Sequence, residues 1–172
     1  MGWNVYVTRE LPDPALPLLR EACEQVAVNP YDRVLARDEL LAAVAGRDGI
    51  LCTGQDRVDA GLLDAAGPDL RAVANYAVGY DNIDQDLLTA RGIPFSNTPD
   101  VLTDATADLA WALMLAAARR VVEADRYVRD DLWHGWGPTQ MLGMDIAGRT
   151  LGIVGAGRIG QAAARRAVGF GM

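Results

Sequence analysis

Near the end of the chain, Gly155-Ala156-Gly157-Arg158-Ile159-Gly160 follows the apolar run TLGIV and opens into GQAAARRAVGF. Residue types at this spacing suit one kind of chemistry, the holding of a pyrophosphate on backbone amides. Gly155 permits a tight strand-to-helix turn, Gly157 lets the backbone approach the phosphates with no Cβ in the way, and Gly160 lets the helix lie close to the strand. The phosphates would rest on N–H groups at the helix N-terminus, where the helix dipole favours negative charge. A Gly-rich βα turn that only packs reads the same way. An acidic residue for a ribose, expected about twenty residues on, and a second strand would separate the two readings. Both positions fall past Met172, which leaves the strand at Thr150–Val154 without partners and the closing helix with little to pack on.

Other reactive residue types are sparse. Cys23 and Cys52 are isolated, with neither metal-ligand spacing nor a disulfide framework, so no metal is expected and a reduced, cytoplasmic compartment is the natural reading. The one histidine, His134, lies in the Trp-rich stretch DLWHGWG.

The elements that must position these residues alternate. β-prone pieces at Asn4–Thr8, Val26–Asn29, Gly49–Thr53, Ala72–Tyr76 and Ile93–Ser96 are separated by helical stretches at Pro14–Cys23, Asp38–Ala45, Val58–Ala66 and Gln85–Arg91. In ARDELLAAVAG, Leu40, Leu41 and Val44 share one face and Gly46 supplies the stop. Such alternation implies parallel strands with right-handed crossovers, a flavodoxin-like open sheet of the α/β class. Pro99 marks a boundary, dividing the chain into residues 1–98 and 99–172. One long helix is expected from Thr103 to Arg129, capped by Thr103 or Asp100, with Ala107, Ala110, Trp111, Met114, Leu115, Ala118 and Val122 at helical spacing. The Trp-rich loop after it is too long for a simple connection.

Composition narrows the partners. The net charge is −7 and no basic tract stands out, so a phosphate backbone would be repelled and nucleic acid is excluded as a partner. The longest apolar run, Leu109 to Ala118, is bounded by Asp108 and Arg119 and is too short to span a bilayer, and the N-terminus lacks the regions of a signal peptide.

Three stretches together resemble the D-2-hydroxyacid dehydrogenase family, nearest to its glyoxylate and hydroxypyruvate reductase branch: NYAVGYDNID (Asn75–Asp84), NTPDVLTDATADLAWALMLAAAR (Asn97–Arg119) and TLGIVGAGRIGQAAARRAVGFGM. The resemblance implies a flavodoxin-like substrate domain followed by an incomplete Rossmann nucleotide-binding domain. It also implies a small 2-keto or 2-hydroxy acid as substrate, NAD or NADP as cofactor, and a homodimer at full length. It places the substrate carboxylate on the backbone of Val78 and Gly79, where a turn with no side chain at Gly79 offers amides to an anion. Asp81 or Asn82 would cap the next helix. Thr106 matches a threonine near the nicotinamide, and Ala156, Gly157, Arg158 and Ile159 match the pyrophosphate turn. Trp133 and Trp136 fall to packing or a subunit interface. The family's arginine, glutamate and histidine match no position here, and His134 stands at the wrong place in the pattern. The chain therefore reads as the truncated N-terminal portion of a reductase, inactive alone and with no catalytic residue of its own; the other reading is a non-catalytic fragment that binds ligand or pairs with a full-length subunit.

Overall fold

The computed structural model describes residues 2–31 and 33–172. The chain divides into two compact units, the first ending at Val101 and the second running from Leu102 to Met172.

In the first unit, strands β1 (Asn4–Val7), β2 (Gln25–Val28), β3 (Gly49–Thr53), β4 (Ala72–Tyr76) and β5 (Phe95–Ser96) alternate with helices α1 (Ala15–Ala22), α2 (Arg37–Val44), α3 (Ala60–Ala66) and α4 (Gln85–Ala90). All strand pairs are parallel, in the order β2-β1-β3-β4-β5, with Val5 beside Val26 and Gly49, and Leu51 beside Ala74. This is the flavodoxin-like order. Side chains of a strand alternate between faces. Tyr6, Ile50, Cys52 and Val73 join Leu40 and Val44 of α2, Leu62 and Leu63 of α3 and Leu88 of α4 in one core. On the opposite face Val5 and Val7 pack with Leu11 and Leu16, beside α1. Leu40 and Val44 are buried with Leu41 partly so, and Gly46, at φ 68°, follows the end of α2, as the apolar spacing of that helix predicts.

One cap differs from expectation. The N-cap of α4 is Asp84, whose carboxylate accepts the Leu87 N–H at 3.0 Å. Asn82 lies too early to cap that helix and has other partners, described below.

The second unit contains α5 (Thr103–Ala118), α6 (Val121–Arg129) and α7 (Arg158–Ala167), the last running into a 3-10 turn at Val168–Phe170. The expected single helix is broken. Arg120 adopts a left-handed conformation, φ 56°, because the Ala118 carbonyl accepts from Met144 N–H at 2.7 Å instead of from the next helical turn. Arg120 then donates to the Leu142 carbonyl and to Glu123. The N-cap position of α5 is Leu102, with no side-chain cap; Thr103 is already helical and Asp100 has φ 68°.

The strand expected at Thr150–Val154 is absent as well. A strand is defined by its ladder, and among the described residues nothing pairs with this stretch; Val154 is wholly exposed. The closing helix is better packed than the sequence suggests. Trp111 of α5 donates its indole N–H to the Ala163 carbonyl at 2.9 Å and stacks on Phe170 with ring centres 4.4 Å apart. Ala107, Ala162 and Ala167 are buried nearby, and Arg166 of α7 reaches Asp108 at 2.6 Å and Asp104 at 3.1 Å. Small side chains on α5 and α7 let the two helices approach closely, so each covers the other's apolar stripe. Of the expected face of α5, Ala107, Trp111 and Ala118 are buried and Ala110 is exposed. Trp133 and Trp136 are exposed.

Among the described residues no helix is long and apolar enough to cross a membrane, and no group of three or more His, Cys, Asp or Glu is arranged to hold a metal.

Candidate functional site

Among the described residues of the first unit, the buried polar ones are Thr8, Asn29, Asp56 and Asn75. Thr8 follows β1, Asn29 follows β2, Asp56 lies in the turn after β3, and Asn75 is near the end of β4. All four therefore stand at the carboxyl edge of the parallel sheet, the edge at which open α/β sheets bind ligands. Buried polar groups are costly unless paired, and here they are paired with one another and with the loops. One oxygen of Asp56 accepts the Thr8 hydroxyl at 2.6 Å, the Thr53 N–H at 2.9 Å and the Thr53 hydroxyl at 3.0 Å. The Asn29 amide donates to the Thr8 and Arg33 carbonyls.

From this edge two amide side chains reach the predicted Val78–Gly79 turn. The Asn75 Nδ2 donates to the Gly79 carbonyl at 3.0 Å, and the Asn97 Nδ2 donates to the Val78 carbonyl at 2.8 Å. Asn75 is in turn held by Asn82 in a reciprocal pair of amide bonds, 3.2 and 3.3 Å, and Asn82 donates to the Thr53 and Asp56 carbonyls. Val78 is half-buried, while Gly79 and Tyr80 are exposed. The Tyr80 ring leans on Phe95 of β5. Sequence reasoning missed these supporting side chains. The available signal was Asn75 itself, a polar amide inside the otherwise apolar strand AVANY, which a buried position would oblige to find partners.

Cys52 lies beneath this network, fully buried, with its Sγ 3.6 Å from the Asn75 Oδ1. Burial, and secondarily the charge of Asp56, push its thiol up to about 12. A thiol so protonated and enclosed is inert. Alkylation with iodoacetamide at pH 8 is expected to leave Cys52 unmodified in the folded chain and to modify it in urea, read by peptide mapping.

The second unit holds the other predicted residues. Thr106 is half-buried in the first turn of α5, its N–H on the Leu102 carbonyl at 2.9 Å. In the glycine turn, Gly155 has φ 93°, a left-handed conformation that favours glycine. Gly157 is the N-cap of α7, with no side-chain cap, and a Cβ on it would meet only open space. A Cβ on Gly160 would fall on the Gly155 carbonyl oxygen and against the Ile153 side chain. Gln161 braces the turn by donating to the Ala156 carbonyl at 2.9 Å. Ala156 and Arg158 are exposed and Ile159 half-buried. One glycine is thus needed for its backbone angle and one for close packing. The third, Gly157, keeps the approach to the helix N-terminus clear, an arrangement that fits a pyrophosphate.

A flavodoxin-like sheet with a braced loop at its carboxyl edge, followed by a helical unit that carries a glycine turn before its last helix, defines a class of two-part α/β proteins. The chain belongs to the D-isomer specific 2-hydroxyacid dehydrogenase family, whose catalytic-domain model matches residues 5–167. It is 52% identical over 173 residues to the glyoxylate reductase of Thermococcus kodakarensis, covering 98% of this chain and 51% of that protein. A Thermus thermophilus crystal structure, 49% identical, superposes with a TM-score of 0.89 over 98% of this chain and 54% of its own. An NADPH-dependent glyoxylate/hydroxypyruvate reductase from Sinorhizobium meliloti, solved with NADP and malonate, is 34% identical with a TM-score of 0.75, over 98% of this chain and 50% of its own. The chain spans about half the length of the curated relatives it matches.

Proposed function

We propose that the chain carries the substrate domain, residues 1–98, and the opening part of the nucleotide-binding domain, residues 99–172, of an NAD(P)H-dependent reductase of small 2-keto acids such as glyoxylate. The observation that carries this reading is the glycine turn, with Gly155 left-handed, Gly157 open and Gly160 closed, in a chain of this family. Gly155, Ala156, Gly157, Arg158, Ile159 and Gly160 would hold the pyrophosphate, through amides at the α7 N-terminus and the Arg158 guanidinium. Thr106 would stand beside the nicotinamide, which when bound supplies a hydride. Val78 and Gly79 would hold the substrate carboxylate on their backbone amides. The reading extends to a cytoplasmic homodimer at full length, supported by two isolated cysteines and by the exposed Trp133 and Trp136.

Amide spectra of the ¹⁵N-labelled chain test it. ADP is expected to shift the amides of Gly155–Gly160 and malonate those of Val78–Tyr80; ADP without effect on the turn would overturn the cofactor assignment. In the same preparation, NADH or NADPH with glyoxylate should show no oxidation beyond a protein-free control, since no residue of the chain is assigned to proton transfer. Turnover above that control would show that the chain itself carries a proton-transfer group.

A further inference from the structure

We propose that Asn75 and Asn97 are positioning residues that aim the amides of the Val78–Gly79–Tyr80 turn at an anionic ligand; the inference rests on the carboxylate reading of that turn. A trans peptide is planar, with its carbonyl and its N–H on opposite sides. Fixing the carbonyl therefore fixes the direction of the N–H. Asn97 holds the Val78 carbonyl, so the Gly79 N–H is turned to the other side of that peptide. Asn75 holds the Gly79 carbonyl, so the Tyr80 N–H is likewise turned away from the strand. Two successive peptides are thus pinned by their oxygens, the first carrying the Gly79 N–H of the Val78–Gly79 carboxylate pair and the second the adjoining Tyr80 N–H. The Val78 N–H belongs to the peptide whose Ala77 carbonyl accepts from the Thr98 N–H at 2.9 Å. Successive amides offered in this way make an anion-binding concavity.

The pins are themselves fixed. The Asn75 side chain cannot reverse its ends without placing its NH₂ against the Asn82 NH₂, because each amide donates to the other's oxygen. Asn82 is tied to the carbonyls of Thr53 and Asp56 at the end of β3, so the orientation of the turn is set by the sheet edge. An amide side chain suits this role because it is neutral. It orients the peptides without adding a charge that would compete for the anion or repel it.

Asn97 is the residue to test, being half-buried where Asn75 is almost wholly enclosed. Malonate is titrated into wild-type and Asn97→Ala chains while the Gly79 and Tyr80 amides are followed. The variant is expected to keep the dispersed spectrum of the folded unit, to shift both amides in the absence of ligand, and to bind malonate about fivefold to tenfold more weakly, the worth of one lost hydrogen bond. Equal or tighter binding by a folded variant would overturn the positioning role while leaving the carboxylate reading intact. No malonate response in the wild type would overturn that reading and the inference with it. Should Asn97→Ala not fold, Asn97→Ser, polar but too short to reach the Val78 carbonyl, is read by the same outcomes.

Discussion

Gly160→Ala is expected to unfasten α7, making the amides of residues 161–167 exchange with solvent roughly 30- to 150-fold faster, a loss of about 2–3 kcal/mol. By helix propensity alone the change should stabilise, since Ala is favoured over Gly by about 1 kcal/mol in a helix interior. The position overrides that preference, because the added carbon would fall on the Gly155 carbonyl oxygen. Backbone cannot swing aside as the end of a long side chain can. Either Gly155 leaves its left-handed conformation or the first turn of α7 lifts away. Both loosen the contact of Ala162 and Ala167 with α5 and the stacking of Trp111 on Phe170. Gly157→Ala is the control, since its Cβ meets open space. It should leave exchange in α7 unchanged while weakening the response of the turn to ADP. If Gly160→Ala exchanged like the wild type, the close packing assigned to that glycine would be wrong.

What the sequence made legible follows from which signals are local. Short β-prone apolar runs and short helical stretches located the strands and helices of the first unit, and their alternation implied parallel pairing, because those patterns record burial against a sheet that the same segment contains. The failures lie where a distant partner decides. Thr150–Val154 has strand composition but no ladder, and a strand cannot exist without one. The helical periodicity from Thr103 to Arg129 runs straight through Arg120, because nothing local reveals that Met144 will take the Ala118 carbonyl. Asp84, and neither Asp81 nor Asn82, caps α4, since an Asn before a helix reads as a cap whether or not a neighbouring strand end claims it. Two glycines of the turn could be read because the demands on them are local: Gly155 takes a left-handed angle and Gly160 packs against the Gly155 carbonyl five residues before it. The braces of the Val78–Gly79 turn could not, because Asn97 acts across 19 residues of chain on a backbone oxygen that carries no sequence signature.

Asp56→Ala is expected to cost the first unit about 2–4 kcal/mol, measured from urea titrations followed on the amide peaks of β1 and β3. The carboxylate is buried, and one of its oxygens takes three donors from Thr8 and Thr53. Alanine leaves a partly buried peptide N–H and two hydroxyls, that of Thr8 buried, without that acceptor. The hydroxyls can rotate to seek another, but the Thr53 N–H cannot turn without breaking the end of β3. Asp56→Asn separates charge from shape: its carbonyl oxygen can occupy the accepting position, so a loss of about 1 kcal/mol is expected, the difference between a charged and a neutral acceptor. The consequence reaches the ligand edge. Asn82 donates to the Asp56 backbone carbonyl and to Asn75, so disorder in the turn after β3 should pass along the amides to Gly79 and weaken its response to malonate. An alanine variant as stable as the wild type would show that the three donors find water instead, and that the carboxyl edge is wetter than its burial implies.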